Sequence, residues 1–244
     1  MMLRDKILLV TSVRKFAGAG VTRLALAEGA RVVAHDATFT AVASRKAFEA
    51  EFAGARAIAA QEPAKIVEQT MKLASRIDAL VSNDAYPALR APIVEARMED
   101  YRAALETMAV RPFALAQRVI PVMKRQKGGR IVFVSSAAPL RGIANYAMYV
   151  SARAATLGLV QSFAKELGRD GITVNAVGSN YVENPDYFPP SLLANAEAMR
   201  KMTAQIPLGR LGKPEELAAA ICFLCSDGAG FVTGHVLAHA GGWA

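Results

Sequence analysis

Only two of the 244 residues are cysteine, one is tryptophan and three are histidine. Cys222 and Cys225 fall in the apolar run CFLC, where positions i and i+3 share one helix face, and no second ligand pair exists to complete a zinc site. Core packing is the expected use of both. His35, His235 and His239 lie in or near strand-like runs without metal-ligand spacing, so no metal is expected. No apolar stretch approaches the roughly 18 residues of a membrane span, and the opening MMLRDKILLV lacks the long apolar region of a secretory signal. A soluble, cytoplasmic chain is the expectation. Lys and Arg outnumber Asp and Glu by 29 to 21, a formal charge of +8, but no basic block occurs. A solvated basic surface is expected rather than a nucleic-acid or membrane partner. Glycine is also scarce in one telling place: TSVRKFAGAG, residues 11–20, follows the first apolar run and sets Phe16 in the middle of the turn.

What is present is an alternation of short apolar runs with longer helical patterns. The runs are KILLVT (6–11), RVVAHD (31–36), ARAIAA (55–60), DALVSN (78–83), RIVFVSS (130–136), ITVNAV (172–177) and HVLAHA (235–240). Between them lie segments of helical length and period, among them 97–126 and 149–168. Near-continuous apolar strands joined by helices predict an α/β fold, a doubly wound parallel sheet of seven strands with helices on both faces, as one domain over 1–244. Ligands of such sheets bind beyond the carboxyl ends of the strands, where strand order reverses. The stretch 178–206, with Pro185, Pro189 and Pro190, reads as a long connection that forms a lid or pocket wall.

Chemistry concentrates in Ser136, Tyr149 and Arg153. Ser136 ends a buried strand; Tyr149 and Arg153 are four apart and so share one helix face. A phenol is a poor base at neutral pH unless a fixed positive charge favours its ionised form. Arg153 offers that charge: at about 4 Å and an effective dielectric of about 20, a unit charge contributes roughly 4 kcal/mol before desolvation. Guanidinium stays protonated, so Arg153 can tune or relay but cannot be the base. That leaves Tyr149 as proton acceptor and Ser136 as holder of a substrate hydroxyl. Spacing alone fits a surface Tyr-Arg helix pair equally well.

Ser136, twelve residues, Tyr149, three residues and a basic residue, with ITVNAV, KELGRDGI, PLGRLGKPEE and TGHVLAHAGGW, resemble the short-chain dehydrogenase/reductase superfamily, which implies a Rossmann-like fold. Four features depart from its dehydrogenases. The T-G-x-x-x-G-x-G turn has become Thr11, Ser12, Val13, Arg14, Lys15, Phe16, Ala17, Gly18, with only the last glycine kept. The basic residue after the tyrosine is Arg153 rather than lysine. Asn-Asn-Ala-Gly has become SNDA, with Asp84 in place of alanine. Pro-Gly has become Ser179-Asn180, and Met108 stands where a relay asparagine would align. A ring at residue 16 occupies space that close backbone approach to a dinucleotide requires.

T-x4-F-x-G and S-x12-Y-x3-R together resemble the halohydrin (haloalcohol) dehalogenases, a branch of that superfamily; AHDATF, SND, RPFAL, SARAAT and NPDYFP extend the similarity over residues 5 to 243. The resemblance implies cofactor-independent conversion of a vicinal haloalcohol to an epoxide, with release of halide and a proton, and the reverse opening of an epoxide by a small anion. It implies Ser136, Tyr149 and Arg153 as the catalytic set, with no cofactor-binding residues and no metal. Asp36, a ribose ligand in NAD-using relatives, becomes a structural remnant. Phe16 and the 179–182 segment, Ser179, Asn180, Tyr181 and Val182, are the candidates for halide and substrate binding, with Tyr187 a further wall. Several assignments stay open. Phe16 is either a halide wall or plain packing. Asp84 is either a solvated loop carboxylate or a partner that fixes the Arg153 guanidinium and carries the proton outward through water. Tyr181, Tyr187 and Phe188 either line the pocket or pack on their own loop, and Trp243 either seals a core or approaches a neighbouring chain. A homotetramer is the expected assembly. An atypical NAD(P)-dependent alcohol dehydrogenase and a non-catalytic metabolite-binding relative remain the alternative readings.

Overall fold

The computed structural model describes residues 1–185 and 188–244. In chain order the regular elements are β1 (Ile7–Val10), α1 (Gly18–Ala27), β2 (Arg31–His35), α2 (Val42–Glu51), β3 (Ala55–Ile58), α3 (Pro63–Ala74), β4 (Ala79–Ser82), α4 (Met98–Leu105), α5 (Arg111–Gln126), β5 (Gly129–Ser136), α6 (Ala138–Arg141), α7 (Ala147–Leu167), β6 (Ile172–Ser179), α8 (Pro190–Leu193), α9 (Ala196–Thr203), α10 (Pro214–Cys225) and β7 (Val236–His239). The strands form one sheet in the order β3-β2-β1-β4-β5-β6-β7. Every pairing is parallel. Strand order reverses between β1 and β4, so the crevice of a doubly wound sheet opens beyond Val10 and Ser82.

The pleat sends alternate residues to two cores. Leu8, Val10, Val81, Val134 and Val177 pack with Val21 of α1, Phe48 of α2 and Ile221 of α10. Leu9, Leu80, Ile131, Phe133 and Val174 pack on the other face with Ile66 of α3, Leu115 of α5 and Val160 of α7. Burial on both faces explains why the strands read as continuous apolar runs. Helices α3 and α10 carry proline in the first turn, Pro63 and Pro214, where the missing N–H has no intrahelical acceptor to lose.

Two segments differ from the sequence reading. The pattern over 97–126 is not one continuous helix: Glu106–Val110 forms a π-helical turn between α4 and α5. Pro112 cannot donate to Met108, the residue four before it, and the freed Met108 carbonyl instead accepts from Thr156 Oγ1 of α7 at 2.9 Å. The stretch 178–206 is partly regular, since β6 runs to Ser179, Val182 bridges Gly212, and α8 and α9 fill much of the remainder. Among the described residues no helix is long and apolar enough to cross a membrane.

Cys222 and Cys225 lie in the α1/α10 core, both essentially without exposure. Burial pushes the Cys222 thiol up to about 12 and the Cys225 thiol well above its ordinary value. Since the thiolate is the reactive form, a maleimide or iodoacetamide at pH 8 is expected to label neither cysteine in the native protein and both after denaturation. Labelling of the native chain, read by mass spectrometry, would place that thiol outside the core.

Candidate active site

Ser136 is the last residue of β5, 4% exposed, and its Oγ accepts the Ala138 N–H at 3.1 Å. The hydroxyl proton is thereby left for a ligand. Tyr149 and Arg153 project from one face of α7, and the guanidinium carbon lies 5.4 Å from the Tyr149 ring centroid. Arg153 is 4% exposed; Nη1 donates to the carbonyls of Val134 at 2.9 Å and Asp84 at 3.1 Å, while Nε has no partner. Among the described residues no carboxylate lies within 4.0 Å of this guanidinium. The Tyr149 ring packs with Ala104, Met108 and Ala152, so the π-helical turn supplies the apolar bed beneath it. Its hydroxyl has no protein partner among the described residues.

The turn after β1 sits opposite. Phe16 is held at φ +34° and Ser12 at φ +49°, both in the left-handed region that disfavours a Cβ. Gly18 is indispensable for a different reason: a Cβ there would lie 2.5 to 2.7 Å from the Val13 backbone. Asp84 holds the Arg153 guanidinium, as one of its two sequence readings has it, but by its backbone. It fixes Arg153 through its carbonyl, whereas its carboxylate accepts from Ser82 Oγ at 2.7 Å and from Thr11 Oγ1 and Ser12 Oγ, each at 3.2 Å. It is not a solvated loop group.

The third wall follows β6. Ser179 Oγ lines the cavity and donates its proton to the Ser135 carbonyl at 3.2 Å. Tyr181 N donates to Asn180 Oδ1 at 3.0 Å, which sets the amide so that Nδ2 remains as a donor. In the parallel bridge between Val182 and Gly212, the Tyr181 carbonyl and the Glu183 N–H are paired with Gly212. The Val182 N–H itself has no acceptor among the described residues. Tyr181 meets Trp243 edge-on at 5.8 Å, and its hydroxyl donates to Gln205 Oε1 at 3.4 Å. Burial raises the Tyr181 phenol above its ordinary value, which suits a neutral wall and not a base. Trp243 packs within its own chain, under the Arg141 guanidinium, whose Nη1 donates to its carbonyl at 2.7 Å.

These walls enclose a cavity of about 320 Å³ that brings together Phe16, Ser136, Tyr149, Arg153, Ser179, Asn180, Tyr181 and Val182. Phe188 also lines it, as one reading of that loop expected. Tyr187 lies outside the described residues. Ile143, Tyr146 and Asn184 are among the further lining residues and were not singled out in the sequence. Tyr146 carried a signal, three residues before Tyr149 at the mouth of the same helix; Ile143 and Asn184 carried none. A larger volume of about 440 Å³ lies beyond Tyr181, but it has no Ser-Tyr-Arg set. Its Arg210 is committed to a forked pair with Glu216, at 2.6 and 2.8 Å, which draws the Glu216 carboxyl down to about 2.

The residues present do not fit a dinucleotide. Phe16 lines the space facing the Ser-Tyr-Arg set, where the nicotinamide end would lie. Asp36 is 3% exposed and already accepts from Arg14 N and Thr38 N, both at 3.0 Å, and from Thr38 Oγ1 at 2.8 Å, so most of its acceptor capacity is spent on its own chain.

Residues 17–244 match the family model described as enoyl-(acyl carrier protein) reductase, a match that begins one residue after Phe16. The chain is similar to 3-oxoacyl-[acyl-carrier-protein] reductase of Thermotoga maritima, 34% identical with 99% of each chain covered. Among solved structures, one titled a dehalogenation enzyme is 70% identical, covers both chains completely and superposes with a TM-score of 0.97. A second, halohydrin dehalogenase HheC bound to ethyl (2S)-oxiran-2-ylacetate, is 35% identical over 97% of this chain and 96% of that one, with a TM-score of 0.92. The chain belongs to the short-chain dehydrogenase/reductase superfamily and, within it, to the halohydrin dehalogenases.

Substituting Gly18 by Ala is expected to displace the turn and lower stability by about 2 kcal/mol or more in urea unfolding, because backbone rather than a flexible side chain blocks the new methyl. Parent-like stability would show that the Val13 backbone yields.

Proposed function

We propose that the chain converts vicinal haloalcohols to epoxides without a nicotinamide cofactor. The observation that carries this reading is that Phe16 lines the same cavity as Ser136, Tyr149 and Arg153, so the ring takes the place a cofactor would need and walls off a space for a leaving halide. The substrate hydroxyl is held by Ser136 Oγ and Tyr149 Oη. Tyr149 takes the hydroxyl proton while the substrate oxygen attacks the adjacent carbon from the side opposite the halogen. The new C–O bond forms as the C–X bond breaks, its electron pair leaves with the halide, and the proton passes to solvent. Arg153 stays charged and steadies the phenolate form of Tyr149, the form that accepts the proton and that returns once the proton has passed to solvent.

On the far side, the unpaired Val182 N–H, the Asn180 amide and the edge of the Phe16 ring suit a large, weakly hydrated anion. Ser179 serves there as a strand anchor through its bond to Ser135. Run in reverse, the same arrangement lets a small anion open an epoxide. The chain would work in the cytoplasm, as a homotetramer that pairs the outer faces of α5 and α7, where Phe113 of α5 and Val110 of the preceding π-helical turn are exposed. The 34% identity to a reductase favours a second reading, an NAD(P)-dependent oxidoreductase.

Purified protein given 1,3-dichloro-2-propanol with no nicotinamide is expected to release chloride and epoxide in equal amounts. Absence of both, together with NADPH binding and ketone reduction, would establish the oxidoreductase instead. Tyr149→Phe should lower kcat by about 1,000-fold or more with the fold retained, the loss associated with removing a positioned base and donor. Arg153→Lys should also be severely impaired, since an ammonium that reached the Val134 and Asp84 carbonyls would leave no planar head along the Tyr149 ring; full activity would mean that charge alone suffices.

A further inference from the structure

We infer that Asn83 is the residue that positions Phe16, and that it thereby sets the affinity and size selectivity of the anion side of the cavity; this rests on the dehalogenase reading above. Asn83 follows β4 at the reversal of strand order and is 1% exposed. Its backbone N–H donates to Thr11 Oγ1 at 3.0 Å, and Nδ2 donates to two carbonyls of the turn, Ser12 at 3.0 Å and Lys15 at 2.9 Å. Those carbonyls already accept N–H groups within the turn, from Lys15 and Gly18 respectively, at 2.9 Å.

The Lys15 carbonyl belongs to the same rigid peptide plane as the Phe16 nitrogen. Fixing that carbonyl fixes the plane from which the Phe16 Cα and ring project. This matters because Phe16 and Ser12 occupy left-handed backbone, which costs about 1–2 kcal/mol at a residue with a Cβ and persists only where surrounding bonds over-determine it. The Asn83 amide supplies two of those bonds. Its orientation is set as well, because turning Oδ1 toward two carbonyls would replace both bonds with repulsion. Without the amide the turn relaxes, the ring moves, and the anion space loses its wall while the hydroxyl-holding side, built on β5 and α7, stays in place.

Asn83 touches neither substrate nor halide and is therefore a positioning residue. The test is anion-driven opening of an epoxide, with KM measured separately for the anion (bromide and azide) and for the epoxide. In Asn83→Ala and in Asn83→Asp, which keeps the shape and removes the donor, the anion KM is expected to rise about ten-fold and the bromide-to-azide ratio to change, with the epoxide KM within about two-fold of the parent. Asp78→Asn is the structural control: its buried carboxylate accepts Ile7 N at 2.8 Å at the opposite end of the sheet, and its loss should lower the melting temperature without altering either KM. If the Ala and Asp variants do not fold, the milder Asn83→Ser is read in the same way. Equal rises in both KM values, or no change in the anion KM, would overturn the inference. Phe16→Ala separates the two levels: an unchanged anion KM in that variant removes the halide-wall reading itself, whereas a raised one beside unaffected Asn83 variants removes only the role of Asn83.

Discussion

Parallel registry of β1, β4, β5 and β6 is the constraint on which the rest of the site depends. Val10 pairs with Val81, Ser82 with Phe133 and Ser136 with Ser179, so β5 and β6 run three residues past the end of β4 and form the tall side of the crevice. Every group of the candidate site hangs from those ends: the Phe16 turn from β1, Asn83 and Asp84 from β4, Ser136 from β5 and the 179–182 wall from β6. A slip of one residue in any pairing would turn Ser136 or Ser179 to the other face of the sheet and bury an aliphatic side chain's position empty. Two apolar cores, each fed by alternate strand residues, make such a slip prohibitive.

Short-range rules made much of this legible. The seven apolar runs became seven strands, Thr11 and Ser136 fell at strand ends, and the four-residue spacing put Tyr149 and Arg153 together on α7. What stayed hidden depended on distant partners. SNDA showed a carboxylate near the site, but its destination depended on three hydroxyls, two of them in a turn more than 70 residues away. Asn83 was visible as part of that motif, yet nothing local says that its amide faces the Ser12 and Lys15 carbonyls. The π-helical turn had a cue in Pro112, whose missing N–H orphans a carbonyl; the acceptor role of Met108 became apparent only with Thr156 beside it.

Asp84 ties the two halves of the site together. One residue uses its backbone toward the Ser-Tyr-Arg set, where its carbonyl receives Arg153, and its side chain toward the Phe16 turn, where its carboxylate receives Thr11 and Ser12. Displacement of the β4 end would therefore disturb base and wall together, whereas the Asn83 amide acts on the wall alone.

The exchange of lysine for arginine follows from the same geometry. In the dehydrogenases that this chain resembles, the lysine after the tyrosine is held by the nicotinamide ribose. With Phe16 across that space, an ammonium on a flexible stem would lose its partner and its fixed direction. Arg153 needs no ligand to be ordered: its planar head meets the carbonyls of Val134 and Asp84 and lies along the Tyr149 ring, all within the protein. The guanidinium is thus positioned by protein contacts alone, and under the proposed reaction the ring at residue 16 and the arginine at 153 are two parts of one substitution of protein contacts for cofactor contacts.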